Sequence, residues 1–110
     1  DDVIGFETAA LKAAGVDYAL IPPRYRSTYF AHIWPGGYSA GYYAYLWSEV
    51  LAADAFQAMG EMGGLGRSSG QRLREHVLSR GMTADPMQLY INFRGHEPGT
   101  EALLERRGLR

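Results

Sequence analysis

Residues 29–54 read YFAHIWPGGYSAGYYAYLWSEVLAAD, and how this stretch folds decides the rest of the chain. From Ser39 to Met59 there is no proline and only Gly41 as a weak point, so the pattern predicts one long helix. If the helix is wound from about Tyr38, a step of roughly 100° per residue brings Tyr38, Tyr42, Tyr45 and Glu49 into a narrow sector of one face. Three phenol hydroxyls then line a single groove, and His32 is delivered to it from the preceding loop. Tyr43 and Trp47 project to the opposite side, where packing is the expected role. Trp34, Pro35, Gly36 and Gly37 make that loop, because glycine tolerates backbone angles that other residues resist. The helix is also apolar almost all round, through Leu46, Trp47, Val50, Leu51, Ala55 and Phe56. Such a helix calls for burial on most faces, more cover than so short a chain supplies, which hints at partner surface elsewhere.

Working outward, residues Asp2 to Ala14 carry apolar residues near i, i+3, i+4 and i+7 spacing, and Gly15 stands where a C-terminal cap belongs. Pro22 and Pro23 forbid helix. Alternation from Arg24 to Ile33 permits a short extended segment, though not a paired strand. Glycines 60, 63, 64 and 66 end the central helix. Ser68 or Ser69 is placed to cap a further helix through Leu78, with Arg72, Arg74 and Glu75 outward. Asp85-Pro86 is a start signal for a helix to about Phe93, and Thr100 to Arg107 forms a last one. The expected fold class is mainly α, four to five helices with an irregular loop segment, in one region spanning 1–110.

The 110 residues are 46% hydrophobic and 21% charged, in the ordinary range for a folded chain, and form one modest core at most. A net charge of −1 offers no broad basic surface for phosphates, so no nucleic acid is expected as partner. Stacking of single-stranded nucleic acid on tyrosine and arginine is disfavoured on the same ground. With no cysteine there is neither a disulfide framework nor a thiolate metal site, which fits a reducing compartment and a cytoplasmic location. No run is long enough to cross a bilayer, so no membrane association is expected. The chain starts at Asp1 rather than methionine, and we expect it to be a piece of something longer.

His32, His76 and His96 include no pair at the i, i+4 spacing that puts two imidazoles on one helix face, and no HExxH occurs, so no metal ligand is assigned here. Taken alone, His32 is more often a loop histidine that satisfies backbone groups than a donor to substrate. Tyr45 on an aromatic-rich helix is more often a core residue. Functionally, a phenol keeps its proton at neutral pH and can donate to an oxyanion, an effect typically worth about 2.7 to 4 kcal/mol for one well-placed donor. Tyr38 and Tyr42 have the same two readings, peptide contacts or packing. Gly36-Gly37 is either a tight turn or a hinge that lets the loop close over a peptide. Arg24 and Arg26 can grip a terminal carboxylate or pair with acids across an interface, and Glu49 can orient Tyr45 or pair with an arginine.

The set His32, Gly36, Gly37, Tyr38, Tyr42, Tyr43, Tyr45, Leu46, Trp47, Ser48 and Glu49 resembles the C-terminal part of a family of zinc metallopeptidases. That family includes peptidyl-dipeptidase Dcp, oligopeptidase A, thimet oligopeptidase and neurolysin. IPPRYRSTYF before the set, and FRGHEP with RRGL after it, agree, so the likeness covers essentially the whole chain. The His32 to Tyr38 interval is one residue longer than in the thimet oligopeptidase branch and looks like the Dcp branch. Pro35 departs from the small residue more usual there, and His96 from the usual arginine; FRGHEP is read as structural packing. The resemblance implies a C-terminal substrate-binding subdomain of a larger enzyme that removes dipeptides from the C-termini of short peptides with a zinc-activated water. It implies Tyr45 and His32 as catalytic groups and His32, Tyr38, Tyr42, Tyr45, Gly36 and Gly37 as substrate-binding ones. Zinc, the HExxH motif and the N-terminal catalytic portion of the same enzyme are then expected outside these residues, and the segment alone is expected to be inactive. The competing reading is a non-catalytic helical interaction module that binds a partner through its aromatic face.

Overall fold

The computed structural model describes residues 2–110. They form five α-helices: α1 (Val3–Ala13), α2 (Ala44–Glu61), α3 (Arg67–Leu73), α4 (Pro86–Arg94) and α5 (Glu101–Arg106). A one-turn 3₁₀ segment covers Ala31–Ile33, and a widened turn, Arg74–Leu78, continues α3. Among the described residues no strand forms; Tyr18 and Ile21 make an isolated bridge. The mainly α class therefore stands. The chain divides into two compact units, the residues up to Tyr43 and Ala44–Arg110.

In the first unit, Asp2 caps α1 by accepting from the Gly5 amide at 2.9 Å. The helix ends where Gly15 turns left-handed at φ 70, with the Gly15 amide on the Lys12 carbonyl and the Val16 amide on Leu11. That paired bonding satisfies carbonyls the last turn would otherwise leave open. No residue of α1 is buried, and Ile4 and Phe6 stand open to solvent. The short extended segment that the alternation over Arg24–Ile33 permits does not form: the Tyr29 and Phe30 amides both turn back to the Arg26 carbonyl, and Ala31–Ile33 is the 3₁₀ turn.

The second unit holds every buried residue among those described. Val50 and Ala53 of α2 pack with Ala102 and Leu103 of α5. Ala58 meets Tyr90 and Phe93 of α4, with Leu51, Ala55, Met59, Leu73 and Val77 closing around them. Pro86 opens α4 under an Asp85 cap that accepts from the Gln88 amide at 3.0 Å, as the Asp-Pro pair predicts. The expected Ser68 or Ser69 cap of α3 is corrected. Gly66 occupies the cap position, and the buried Ser69 hydroxyl turns back to the Gly64 and Gly66 carbonyls. Arg72 is exposed, as its outward placement predicts, and its guanidinium donates to the Phe93 and Asn92 carbonyls at 3.0 and 3.1 Å, closing the end of α4.

The central helix begins later than the sequence pattern indicates. It starts at Ala44, not near Tyr38 or Ser39, and residues 39–43 are turns. Ala40 is the cause: its φ of 53 lies in the left-handed region, which a helix cannot pass through. Leu46 and Trp47 near the start of α2, and Phe56 further along it, are exposed, in keeping with a helix that asks for more cover than this chain supplies. Trp47 and the exposed Tyr43 thus lack the packing expected of them.

Candidate functional site

His32, Tyr38 and Tyr42 come together in the first unit, though not along a helix face. Tyr42 meets His32 edge-on with ring centroids 5.9 Å apart, and Tyr38 lies 6.1 Å from His32 and 6.4 Å from Tyr42. Phe30 holds the group from behind, 4.6 Å from Tyr42 and edge-on, while Tyr25 stacks on Phe30 at 5.1 Å. Edge-on aromatic contacts match the positive ring edge to the negative face, each worth about 0.5–1.5 kcal/mol beyond the area they cover. Phe30 was missed in the sequence because nothing in its local pattern marks a residue whose partners follow two and twelve positions later.

The path of the chain makes this possible. His32 is the middle of the 3₁₀ turn, and the loop after it reverses through Gly36 at φ 82 and Gly37 at φ 80. An ideal Cβ at either glycine would meet nothing within 4 Å, so backbone angle rather than space demands glycine there. Ser39 fastens the far end of the loop, its hydroxyl donating to the Ile33 carbonyl at 2.8 Å. A hollow of about 240 Å³ opens between Ala31, His32, Pro35, Gly36 and Tyr38. It offers an imidazole and a phenol beside a glycine turn, a combination that can donate to and accept from a peptide backbone.

Tyr45 belongs to the second unit, in the first turn of α2, with its side 45% exposed. The expectation that helical winding aligns Tyr38 and Tyr42 with Tyr45 is therefore corrected, because α2 does not include the first two. Glu49 is paired with Arg107, which ties α2 to the end of α5 and favours the arginine-partner alternative over the orienting of Tyr45. Arg26 pairs with Glu7 at 3.0 Å, and Arg24 lies over the Tyr25 ring at 5.4 Å from its centroid.

A second polar group, absent from the sequence reading, sits inside the second unit. Asp54, only 4% exposed, accepts from the Tyr90 hydroxyl at 2.6 Å and from Arg94 Nε at 3.2 Å. Arg94 reaches on to Glu61 with two bonds, at 2.6 and 3.1 Å. Burial and the Asp54 carboxylate push the Tyr90 phenol well above its ordinary range. The Arg94 guanidinium holds the Glu61 carboxyl below its usual value, and the Arg94 charge is reinforced in return. Among the described residues no buried side-chain polar atom lacks a partner, so this network is a satisfied structural joint rather than a reactive centre. It gives FRGHEP its packing role: Phe93 is fully buried, Arg94 is the joint and Gly95 turns left-handed at φ 96.

A larger hollow, about 650 Å³, runs beside α2 and α5 past Ala52, Phe56, Ala102, Glu105 and Arg106. It contains none of the candidate residues. Among the described residues no group of three or more His, Cys, Asp or Glu could hold a metal ion, so the side chains present do not fit zinc. No described helix is long and apolar enough to cross a membrane.

Residues 2–109 match the model of peptidase family M3. The chain belongs to peptidase family M3. Within the family, it is 54% identical over 108 residues to the dipeptidyl carboxypeptidase of Escherichia coli, covering 98% of this chain and 16% of that protein. The Salmonella typhimurium dipeptidyl carboxypeptidase is 53% identical over 107 residues, again 16% of its length. Oligopeptidase A of Escherichia coli is 51% identical over 81 residues, 74% of this chain and 12% of that protein. The chain thus spans about one sixth of the length of these two dipeptidyl carboxypeptidases, and the resemblance drawn from the His32–Glu49 set is borne out at the level of the family.

Proposed function

We propose that this segment is the substrate-side wall of an M3 metallopeptidase of the peptidyl-dipeptidase kind, acting on short peptides. The single observation that supports it most is the gathering of His32, Tyr38 and Tyr42 at 5.9–6.4 Å around a glycine-turned hollow in a polar-aromatic region. His32 and Tyr45 are assigned to donate to the reacting carbonyl as it gains negative charge, and Tyr38 and Tyr42 to hold the peptide backbone. Gly36 and Gly37 let the loop approach a peptide closely. The zinc and its ligands are assigned to the N-terminal catalytic portion of the same enzyme, since the side chains here do not fit them. The segment alone is then inactive, and the absence of cysteine fits a cytoplasmic parent.

The test is Tyr45→Phe in the complete, zinc-loaded protein. Loss of one donor to developing charge lowers kcat by roughly two to three decades while zinc content and melting temperature stay unchanged. Turnover near that of the wild type refutes the assignment.

A further inference from the structure

Resting on the functional reading above, we propose that Trp34 and Ser39 are positioning residues that set His32 and Tyr38 at the peptide-facing hollow by pinning both ends of the loop between them. Trp34 directly follows the 3₁₀ turn that carries His32, and its indole Nε1 donates to the Ser27 carbonyl at 2.7 Å although the ring is 67% exposed. A ring that open is not held by burial. The indole bond is what fixes it, and a planar side chain with two rotatable bonds transmits that fix to its backbone. At the other end, the Ser39 hydroxyl donates to the Ile33 carbonyl at 2.8 Å, closing residues 33–39 into a ring across the Gly36-Gly37 turn.

The anchor for Trp34 is itself anchored. Ser27 gives its amide and hydroxyl to the Glu7 carboxylate at 3.2 and 3.1 Å, and Arg26 adds a bond to the same group at 3.0 Å. A line of hydrogen bonds therefore runs from α1 through Ser27 and Trp34 to the turn that presents His32. Two consecutive left-handed glycines are the most pliant part of the backbone, so without these two clasps the loop has no fixed width. His32 and Tyr38 border the same hollow from the two ends of this loop, with ring centroids 6.1 Å apart, and that separation depends on the loop's width. Misplacement of a contact by even about 1 Å is enough to cost one to two decades in rate.

The experiment uses the complete, zinc-loaded protein and a double-mutant cycle with His32. Trp34→Phe keeps a ring and removes only the donor; it should lower kcat roughly tenfold with KM little changed. In a His32→Ala background the same substitution should cost less, about threefold at most, because only Tyr38 is then left to position. Ser39→Ala should behave as Trp34→Phe does, and Ser39→Thr, which retains the hydroxyl, should restore activity to within about twofold. Amide exchange at residues 31–38 should rise in Trp34→Phe and Ser39→Ala but not in Ser39→Thr. Equal losses in both backgrounds, or unchanged exchange, overturn the proposal. If His32→Ala alone leaves kcat intact, the functional reading fails first and takes the clasp with it. Should Trp34→Phe not fold, the Ser39→Ala and Ser39→Thr pair decides the matter unaided.

Discussion

Phe30 and Phe93 are the same residue in two settings. Phe30, half-buried, is one ring in a chain of ring contacts with Tyr25, His32 and Tyr42. Phe93 is fully enclosed by Ala58, Tyr90 and the apolar side chains of α2 and the α3 continuation. The difference extends to the units that hold them. Among the described residues, the first unit has no buried side chain and is fastened by specific polar clasps, whereas the second has two apolar clusters and a satisfied ionic joint. The candidate substrate groups His32, Tyr38 and Tyr42 stand in the unit without a core. Local opening there costs little, which suits the proposed role of a wall that admits and releases a peptide.

The contrast breaks most visibly under truncation. Phe93→Ala should destabilise the second unit by about 4 kcal/mol in denaturant unfolding followed by circular dichroism, the cost of a large buried aromatic plus its cavity. Phe30→Ala should cost about 1 kcal/mol by the same measurement and should perturb Tyr42 and His32 resonances more than global stability. Comparable losses from the two would erase the distinction between the units.

Next in size is the ionic joint. Asp54→Ala leaves the Tyr90 hydroxyl and Arg94 Nε without their buried acceptor and should cost about 3 kcal/mol, the lower end for breaking a buried pair because Arg94 retains Glu61. A loss below about 1 kcal/mol would mean that the apolar clusters hold the second unit without it.

The smallest effect is on acid stability, and it sharpens the comparison because each unit has its own depressed carboxylate. Arg94 lowers the Glu61 value, and the Ser27 amide, followed by Arg26, lowers that of Glu7, both from an ordinary 4.5. A folded-state value below the unfolded one means stabilisation that is complete above about pH 4.5 and lost as pH falls through the folded value. Glu61→Gln should flatten the acid limb of the second unit's unfolding curve, and Glu7→Gln should do so for amide exchange in the first. Acid limbs left unchanged by both would show that other carboxylates carry the effect.

What the sequence revealed and what it withheld divide along the range of the interactions. Asp85-Pro86, Gly15 and the family-like His32–Glu49 set act within a turn or two, so the start of α4, the end of α1 and the family were all readable. Ala40 was not, since alanine carries no sign of a left-handed φ and its cost is borne by the loop around it. The later start of α2, and with it the separation of Tyr38 and Tyr42 from the helix of Tyr45, follows from that one residue. The Asp54 joint spans 36 to 40 positions and the Glu49–Arg107 pair 58, separations at which residue type alone cannot choose a partner. Trp34 left a usable clue: a tryptophan in a polar loop has an N–H that must find an acceptor.

The most direct measurement is a crystal structure of the complete, zinc-loaded protein with a non-hydrolysable peptide bound. The account predicts the His32 imidazole and the Tyr38, Tyr42 and Tyr45 hydroxyls within about 3.2 Å of peptide oxygens or nitrogens, on the side of the cleft facing the metal. A peptide seated elsewhere, with these four rings turned against aliphatic neighbours, would contradict it.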